Sequence, residues 1–553
     1  MRVVLGFAGV SAAFVAASPA HAAHGAPPAP VPATALVEAS ALLPAHGYGP
    51  GGVSGYMPLH AQAYLEAKEA ANVRAGVATK GGGRPRPGGG GGGTTVSSYA
   101  NVTPSFNGVF DTSGTPPDTT GSIGPDRYVE AVNTQYAIYS RSGSLINGGS
   151  LSALTGIATG LFGYALSDPQ VMWDAKTQRF YYSAVYFDSL FFSDNGIAIG
   201  WSKTATPSSA SDFCQYAIQF GSELPDYPKL GDSSDFLLLG YNEFGNFATT
   251  YDGSEFAMVN KPPAGSDCAP TSAFAVHASG VLHNADTSLA ATPVPANLVD
   301  DGNGTGYVVA NADLTTVQSA NFVSVYSVST NGTDANGIPV PVVSGPASVP
   351  VPSYSLPASA PQAGSSYLLD TLDGRFEASV AAVDPAHGGV TAVWTAHAVF
   401  GGAGSEERWY EISPAAASLL QSGVVTSSTS FVWNGAVAPD RANTGTSGAF
   451  GADMAMSVST SSKTSYPAIG FVWKQGASAQ SPLTTLVQSG GASVDFSCSS
   501  TTPCRWGDYS GATPDPAATG GVGKVWLANQ YDLAGGSTSS TSWRSWVFAV
   551  TPG

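Results

Sequence analysis

The 553-residue sequence has little charge, and basic residues are its scarcer sign. Asp, Glu, Lys and Arg make up 11% of the chain, with 21 Lys and Arg against 38 Asp and Glu, which gives a net charge of −17. Such a surface repels phosphate backbones, so we expect no nucleic-acid partner. Beyond the N-terminus the chain also lacks any run of the roughly 20 apolar residues that a membrane-spanning helix needs, so we expect no transmembrane segment.

Motifs of several enzyme classes are absent as well. No G-x-S-x-G occurs to form a nucleophile elbow, and no glycine-rich phosphate or dinucleotide motif leads from a strand into a helix. The spacings CxxC and HExxH, which indicate zinc, do not occur. His397 alternates with Trp394 and Ala396, a pattern that favours a packed strand histidine over a general base. These patterns identify no catalytic residue.

The N-terminus has the three parts of a secretory signal peptide. Arg2 supplies a positive charge, an apolar run extends from Val3 to about Ala17, and small residues stand at Ala20 and Ala22. We expect cleavage after Ala22 and secretion, either to the periplasm or outside the cell. A short buried helix over residues 1–22 is the alternative.

The chain has only four cysteines, which export would place in an oxidising compartment. The simplest pairing joins Cys214 to Cys268 and Cys498 to Cys504, although four cysteines allow three connectivities. The second bridge would close a short loop and fix the segment that enters WGDYSG, residues 506–511.

Residues 23–96 form a leader that is rich in Ala, Pro and Gly and ends in KGGGRPRPGGGGGG, residues 80–93. Consecutive glycines behave as a flexible tether, so we interpret the leader as a spacer or a pro-segment before a folded domain at 97–553. Within the leader, residues 60–75 predict a short amphipathic helix. Its apolar positions are Ala63, Leu65, Ala70 and Val73.

From residue 97 onward the sequence alternates short runs of Tyr, Phe, Val, Trp and Thr with Gly, Asn, Asp and Ser, which is typical of strands and turns. Asp-led segments recur along this region, and each is followed by enough chain for four short strands. They contain Asp118, Asp168, Asp226, Asp300 and Asp301, Asp370 and Asp373, Asp453, and Asp508 and Asp515. About seven such units predict an all-β fold, a β-propeller of seven four-stranded blades, because blades in a ring leave only short sheet edges. Six or eight blades, or another repeated or two-domain β arrangement, are the alternatives, and WGDYSG is interpreted as the start of the last blade.

Several elements in order carry a resemblance. They are PDTTGSIGPDRYVEAVN, DPQVMWDAKTQRFYYS, DYPKLG with GYNEF, LDGRFEASV with VWTAH and RWYEI, then WGDYSG and VWLANQY. In this combination most of residues 97–553 resembles a group of exported bacterial proteins usually described as uncharacterised, sialidase-like β-propellers. The resemblance implies the propeller fold and export. It implies no activity, because members of the group generally have no assigned reaction.

The residues match the sialidase part of this resemblance only in part. Asp-box repeats of the form S-x-D-x-G-x-T-W are absent. A sialidase-type site needs three arginines that clamp a carboxylate, a Tyr nucleophile and an acidic partner. Our ligand-binding candidates are Arg127, Arg375, Arg505, Trp506 and Tyr509. The alternative for the arginines is pairing between blades or at the surface, since a fold analogy alone carries no chemistry.

Five aspartates at predicted blade starts are candidates for a cation site. They are Asp118, Asp168, Asp226, Asp373 and Asp508. If they ring the axial mouth, their oxygens would suit Ca²⁺, the one cofactor we consider. The alternative, which we favour, is that each caps its own turn by accepting backbone hydrogen bonds.

Two function classes follow. The first, which we favour, is an exported, non-enzymatic propeller that binds a glycan, a protein or a surface component, with the aromatic run at 186–192 as a candidate contact patch. The second is a hydrolase or lyase that acts on an extracellular glycan through a carboxylate pair. A carboxylate pair with raised pKa beside Arg505 or Arg375 would favour the second class.

Overall fold

The structure is a computed structural model, and it describes most of the chain after residue 93. The described residues are 31–32, 58–77, 94–111, 114–159, 163–188, 193–245, 248–263, 268, 274–301, 303–443, 448–499, 502–518 and 521–553. The predicted signal peptide and the glycine linker lie outside the described residues, as does part of the aromatic run.

Seven sheets with four main strands each follow one another along the chain, and we number them as blades I to VII. Blade I contains Thr120–Ile123, Arg127–Ala131, Gln135–Ser140 and Leu145–Ser150. Blade II contains Tyr164–Asp174, Arg179–Asp188, Asn195–Ser202 and Phe213–Gly221. Blade III contains Leu224–Asp232, Phe236–Gly245, Thr250–Asn260 and Val276–Ala278. Blade IV contains Ala290–Pro295, Gly306–Ala312, Ala320–Thr333 and Pro339–Tyr354.

The remaining blades have the same form. Blade V contains Phe376–Asp384, Val390–Val399, Glu406–Ser413 and Ser418–Val425. Blade VI contains Phe431–Pro439, Met454–Ser462, Ser465–Lys474 and Thr484–Gln488. Blade VII contains Gly511–Pro514, Val525–Asp532, Trp543–Val550 and, outermost, Val102–Phe110. Short strands at Val31–Pro32, Thr95–Val96 and Asn297–Leu298 add to blades II, VI and V, and Ala442–Asn443 pairs with Gly448–Ala449. Among the described residues the helices are Ala61–Arg74 and Leu151–Thr155, with 3₁₀ turns at Ala210–Asp212 and Pro385–His387.

The blades close into a ring. The first strand of each blade contacts the first strand of the next, and the first strand of blade VII contacts that of blade I. Val102–Phe110 pairs antiparallel with Trp543–Val550, so one blade joins the two ends of the propeller. The predicted seven-bladed propeller is confirmed. We call the end of the axial channel where the first strands begin the entrance end, and the opposite end the exit end.

The inner strands of the blades are buried on both faces, which explains the long apolar runs in the sequence. In blade III, Leu237 and Leu239 pack against Ile197 and Ile199 of blade II. Leu238, between them in sequence, packs in the opposite direction among residues of blades III and IV. Successive strand residues point to opposite faces, so alternate residues join neighbouring blades on either side.

A β-bulge recurs near the start of the first strand in blades II to VI. In four of these blades a residue other than glycine adopts a left-handed backbone conformation at the bulge. These residues are Asp168, Tyr227, Thr292 and Asn434, with φ of 55°, 58°, 51° and 54°. Each is followed by Pro or Gly. Bulges re-aim side chains, and here they lie at the entrance end of the channel.

The Asp-led segments place two of the seven blade starts wrongly. Asp300 and Asp301 follow the first strand of blade IV, and Asp453 precedes the second strand of blade VI. The first strands of these two blades carry Thr292 and Asn434 at the bulge, where blade II carries an Asp. A search for blade starts that relies on Asp therefore could not find the starts of blades IV and VI. WGDYSG does lead directly into the first strand of blade VII, as predicted.

Both predicted disulfides are present. Cys214–Cys268 joins the outermost strand of blade II to the loop after the third strand of blade III, and Cys498–Cys504 closes the loop before WGDYSG. Within the described ranges, none of the helices has the length and apolarity needed to cross a membrane.

The predicted leader helix is confirmed as Ala61–Arg74, but it buries a different face from the one predicted. Leu65 and Val73 are exposed. The buried residues are Tyr64, Lys68, Ala71 and Asn72. Two of these four are polar, so the hydrophobic pattern could not reveal the buried face.

Candidate functional site

Charged and aromatic side chains fill the entrance end of the channel, and we call them the entrance cluster. The cluster consists of Asp118, Asp168, Tyr227, Lys229, Arg375, Glu377, Arg505, Asp508 and Tyr509. No member is more than 9% exposed. The members come from the starts of the first strands of blades I, II, III, V and VII, which the closed ring brings together.

Asp118 and Asn133 tie three of these blades to one another. Asn133 Nδ2 donates to Asp118 Oδ2 at 2.7 Å, and Asn133 Oδ1 accepts from the backbone N–H of Asp168 at 2.6 Å. Asp118 Oδ1 accepts from the backbone N–H of Asp508 at 2.7 Å. Asp118 therefore has a structural partner for each carboxylate oxygen.

Two tyrosines cross the centre of the cluster. Tyr509 Oη donates to Asp168 Oδ2 at 3.0 Å. Tyr227 Oη lies 3.1 Å from the carbonyl oxygen of Phe376 and 3.0 Å from that of Asp508. The two rings are 5.0 Å apart between their centres.

Lys229 lies between these tyrosines. Its Nζ donates to the carbonyl oxygen of Glu377 at 2.9 Å. The same atom lies 3.3 Å from the ring centre of Tyr509 and 4.0 Å from that of Tyr227. Cation–π contacts of this kind are most stabilising where the cation has lost its water, as here.

The two predicted arginines of the cluster bind carboxylates that are close to them in sequence. Arg375 donates through Nε and Nη2 to Asp373 at 2.8 and 2.6 Å, in a two-pronged ion pair. Arg505 Nη2 donates to Asp508. Each arginine thus already binds a carboxylate of the chain itself, the type of group that a sialidase-type clamp would bind in a substrate.

Burial changes the protonation of the cluster. Burial raises the pKa of Asp118 well above its usual value, and the negative charges of Asp508 and Asp168 raise it further. Burial also raises the pKa of Asp508 to about 6, against the opposing attraction of Arg505. Burial lowers the pKa of Lys229 to about 7. Groups that exchange protons near neutral pH are typical of acid–base sites, although buried structural networks also contain them.

A second pair of carboxyl groups lies beside the cluster. Burial raises the pKa of Glu377 well above its usual value, and the nearby Glu407 adds to the rise. Ser510 Oγ donates to Glu377 Oε2 at 3.3 Å, and the backbone N–H of Gly435 donates to Glu407 Oε1 at 2.9 Å. Glu407 Oε2 and Asp508 Oδ1 are buried, and no described residue forms a hydrogen bond with either atom.

The leader helix is hydrogen-bonded to the segment that precedes blade V. Tyr64 Oη donates to Asp370 Oδ1 at 2.6 Å, and Lys68 Nζ donates to Thr371 Oγ1 at 2.8 Å. Burial lowers the pKa of Lys68, although the negative charges of Asp370 and Asp373 oppose this. The helix thus brings a buried cation to the edge of the entrance cluster.

Further contacts of the leader extend across the entrance face. Leu59 packs with residues of blades II and III. His60 Nε2 lies 3.3 Å from Asp313 Oδ2 in blade IV, and the Arg74 guanidinium lies 3.7 Å from the ring centre of Phe400 in blade V. The leader therefore covers the entrance end from blade II to blade V.

The structure brings some of the predicted ligand-binding residues together. Arg375, Arg505 and Tyr509 belong to the entrance cluster. Trp506 is buried beside them, with Nε1 donating to Ser459 Oγ at 2.8 Å. Arg127 lies elsewhere, at the start of the second strand of blade I, near the exit end.

The five predicted calcium ligands are also divided. Asp118, Asp168 and Asp508 converge in the entrance cluster, Asp373 is paired with an arginine, and Asp226 is buried at the start of blade III. Among the described residues, one group of three His, Cys, Asp or Glu side chains places its ligand atoms within 4.8 Å of one another, and it lies at the exit end of blade V. Calcium binding by the five aspartates stays a prediction.

The exit end contains a polar pocket of about 110 Å³. Its polar lining includes Asp174, Lys176, Asp232, Lys261, Asp301 and Asn443. Lys261 Nζ donates to Asp174 at 3.0 Å and to Asp232 at 2.6 Å. At the rim, the side chains of Lys176 and Asp301 are 3.4 Å apart and 40% and 51% exposed.

A smaller cavity adjoins the exit pocket and shares Ala175, Val299 and Asn443 with it. Trp173 lines this cavity, and its buried Nε1 has no hydrogen-bond partner in the described part of the chain. The two cavities together offer hydrogen-bond donors, carboxylates and one aromatic ring.

Sequence reasoning missed Lys229, Glu377 and the whole exit pocket. The signal for Lys229 was a basic residue inside DYPKLGD, a segment that forms part of a fully buried strand. Lys261 and Asp232 gave no comparable signal, because Asp232 ends a strand and Lys261 directly follows one, as ordinary turn residues do.

Comparisons with known proteins add little beyond the fold. No family model matches the chain, and no curated protein matches it. One similar solved structure is the parainfluenza virus 5 hemagglutinin-neuraminidase ectodomain, 9% identical with a TM-score of 0.37 over 83% of this chain and 84% of that one. Another is the Dos1 propeller, 11% identical with a TM-score of 0.36 over 81% and 95%. A third is an exo-β-1,3-galactanase from Phanerochaete chrysosporium, 10% identical with a TM-score of 0.29 over 82% and 96%. At such TM-scores these structures carry no argument about function.

Proposed function

We propose that this chain is an exported, non-enzymatic propeller that binds a glycan at the exit pocket. The observation that carries the proposal is the contrast between the two ends of the channel. The entrance cluster is buried beneath the leader, whereas Lys176 and Asp301 at the exit pocket are exposed. Ammonium, amide and carboxylate groups close together suit the many hydroxyl groups of a sugar, which both donate and accept hydrogen bonds.

Export is part of the same proposal. The N-terminal sequence has the pattern of a signal peptide, and two disulfides are of the kind that persists in an oxidising compartment. Membership in the group of exported sialidase-like propellers is likewise proposed, from the sequence elements that carry the resemblance.

The test is a calorimetric titration of the chain, expressed from residue 23 without a tag, with a panel of neutral and acidic mono- and oligosaccharides. Lys176→Ala and Asp301→Ala remove exposed groups of the pocket rim, and Lys203→Ala removes an exposed lysine of blade II as a control. A sugar that binds should lose roughly tenfold or more in affinity in the two rim variants, the worth of one hydrogen bond to a charged group. The Lys203→Ala variant should bind as the parent does. Equal binding by all four proteins, or binding of no sugar, contradicts the proposal.

A latent glycan hydrolase is the second candidate, and one observation favours it. Asp118 and Asp508, both with raised pKa, lie beside Arg505 and Tyr509 in the covered entrance cluster. Glycoside hydrolysis uses one carboxylic acid of raised pKa together with a second carboxyl group that acts in its ionised form. In this case the leader would have to move before any substrate could reach the pair.

Fluorogenic glycosides test this second candidate. The variant Tyr64→Phe with Lys68→Ala removes three hydrogen bonds that hold the leader in place, and Glu66→Ala changes an exposed residue of the same helix. A hydrolase should show turnover in the first variant, little in the second, and none when Asp508→Asn is added to the first. Absence of turnover in all of them leaves the binding module as the function.

A further inference from the structure

Blade V carries three metal-ligating side chains at its exit end that neither the entrance cluster nor the exit pocket uses. Asp384 ends the first strand, and His387 ends the 3₁₀ turn Pro385–His387 that follows it. Glu411 lies in the third strand of the same blade. One ligand atom from each lies within 4.8 Å of the other two.

Neighbouring hydrogen bonds hold two of these side chains in place. Asp384 Oδ1 accepts from the backbone N–H of Ala386 at 2.7 Å, while Oδ2 contacts His387 Nδ1. Glu411 Oε2 accepts from Gln421 Nε2 at 2.6 Å. Such outer hydrogen bonds are what orients the ligands of protein metal sites.

The second carboxylate oxygen of Glu411, Oε1, faces a site where a cation could lie between Glu411 and Asp384. Glu411 is 0% exposed, and its buried Oε1 has no hydrogen-bond partner among the described residues. One carboxylate oxygen of Asp384 lies within 4.8 Å of a carboxylate oxygen of Glu411. Lys474 lies close by, but its Nζ donates to Gln421 Oε1 at 2.8 Å and to the carbonyl of Gly476. A cation between the two carboxyl groups would give this oxygen a partner and would offset the repulsion between the carboxylates.

We propose that Asp384, His387 and Glu411 bind a divalent transition-metal cation of the Zn²⁺ class. An imidazole nitrogen with two carboxylate oxygens suits Zn²⁺ and similar ions, whereas Ca²⁺ takes oxygen ligands. Metal–ligand bonds of about 2.0–2.2 Å place ligand atoms at most about 4 Å apart. The His387 side chain is 38% exposed, so it can rotate out of its direct contact with Asp384 to the separation that a shared ion requires, and its exposure leaves a path for the ion and for a water ligand.

The test is zinc binding by the untagged chain after treatment with EDTA, measured by competition with a chromogenic chelator. His387→Ala and Glu411→Gln remove one ligand each, and His283→Ala removes an exposed histidine outside the site as a control. The parent and His283→Ala should bind one Zn²⁺ per chain with equal affinity, and each ligand variant should bind at least about tenfold more weakly.

X-ray absorption at the zinc edge provides a second readout that a loss of folding cannot imitate. The parent should show one nitrogen and two oxygen ligands from the protein. The proposal is overturned if the parent binds no stoichiometric Zn²⁺, as a shared proton would predict. It is also overturned if His387→Ala and Glu411→Gln bind Zn²⁺ as His283→Ala does.

Discussion

Glu130 offers a pH-dependent test of how the propeller ring closes. It lies in the second strand of blade I, is 0% exposed, and its Oε2 accepts at 3.1 Å from the backbone N–H of Val109 in the closing strand of blade VII. Tyr139 Oη donates to the same oxygen at 3.1 Å. Burial raises the pKa of Glu130 to about 7, although these hydrogen bonds and Arg544 oppose the rise.

The pKa of Glu130 sets the size and sign of its pH-dependent contribution to the free energy of unfolding. A folded-state pKa of about 7 against an unfolded value of 4.5 means that the folded chain binds the proton more tightly. At about 1.36 kcal/mol for each unit of pKa, the difference amounts to about 3 kcal/mol. This contribution to stability is fully present below pH 4.5 and is lost as the pH rises through 7.

The perturbation is Glu130→Gln, which keeps the shape of the protonated acid and removes its charge. The free energy of unfolding should match that of the parent at pH 4.5 and exceed it by about 3 kcal/mol at pH 8. Urea unfolding followed by tryptophan fluorescence at the two pH values measures this difference, with Glu66→Gln on the exposed side of the leader helix as a control. A difference that does not change with pH, or a Gln variant that is less stable at pH 8, would refute the reasoning.

Three further predictions concern the disulfides, the aspartates and the core. Replacing both cysteines of a bridge by Ser should lower the free energy of unfolding by about 4 kcal/mol for Cys214–Cys268 and by about 2 kcal/mol for Cys498–Cys504, because the first bridge closes the longer loop. Urea unfolding measures both losses, and a larger loss for Cys498–Cys504 than for Cys214–Cys268 would contradict this. We expect the same thermal midpoint in EDTA and in Ca²⁺, because Asp118, Asp373 and Asp508 already have hydrogen-bond partners within the chain, and a clear rise with Ca²⁺ would instead support the calcium site. Leu238→Ala should lower the free energy of unfolding by about 2–5 kcal/mol, since Leu238 is fully buried between two blades, and a loss below about 1 kcal/mol would show that the site is less tightly packed.

The propeller could be predicted from the sequence because its repeat is expressed in local patterns. Strands buried on both faces give runs such as FLLLGYNEF at 236–244, and several blade starts carry an Asp. The starts with Thr292 and Asn434 were missed because the feature that the blades share is a backbone conformation, which several residue types adopt. Proline or glycine directly after that position was the more general signal.

The candidate site was predictable only in part. Arg505 and Tyr509 were identified from their place next to a blade start, which is a local property. The contact of the leader helix with this end of the propeller was not predicted, because Lys68 and Tyr64 bind residues more than 300 positions later in the chain. Their face of the helix is half polar, so neither a hydrophobic period nor a motif points to that contact.

The charges of the entrance cluster narrow what it could accept if the leader moved. With Asp373, the cluster contains five carboxyl groups and three cationic side chains. The carboxyl groups are Asp118, Asp168, Asp373, Glu377 and Asp508, and the cations are Lys229, Arg375 and Arg505. Burial raises the pKa of most of these acids, so access of water would lower those pKa values and leave the cluster with a net negative charge. Such a mouth would repel a substrate carboxylate, as in a sialic acid, and both arginines already bind carboxylates of the chain. If the covered cluster is a hydrolase site, its substrate should therefore be a neutral glycan, and turnover of an acidic glycoside in preference to a neutral one would contradict this charge argument.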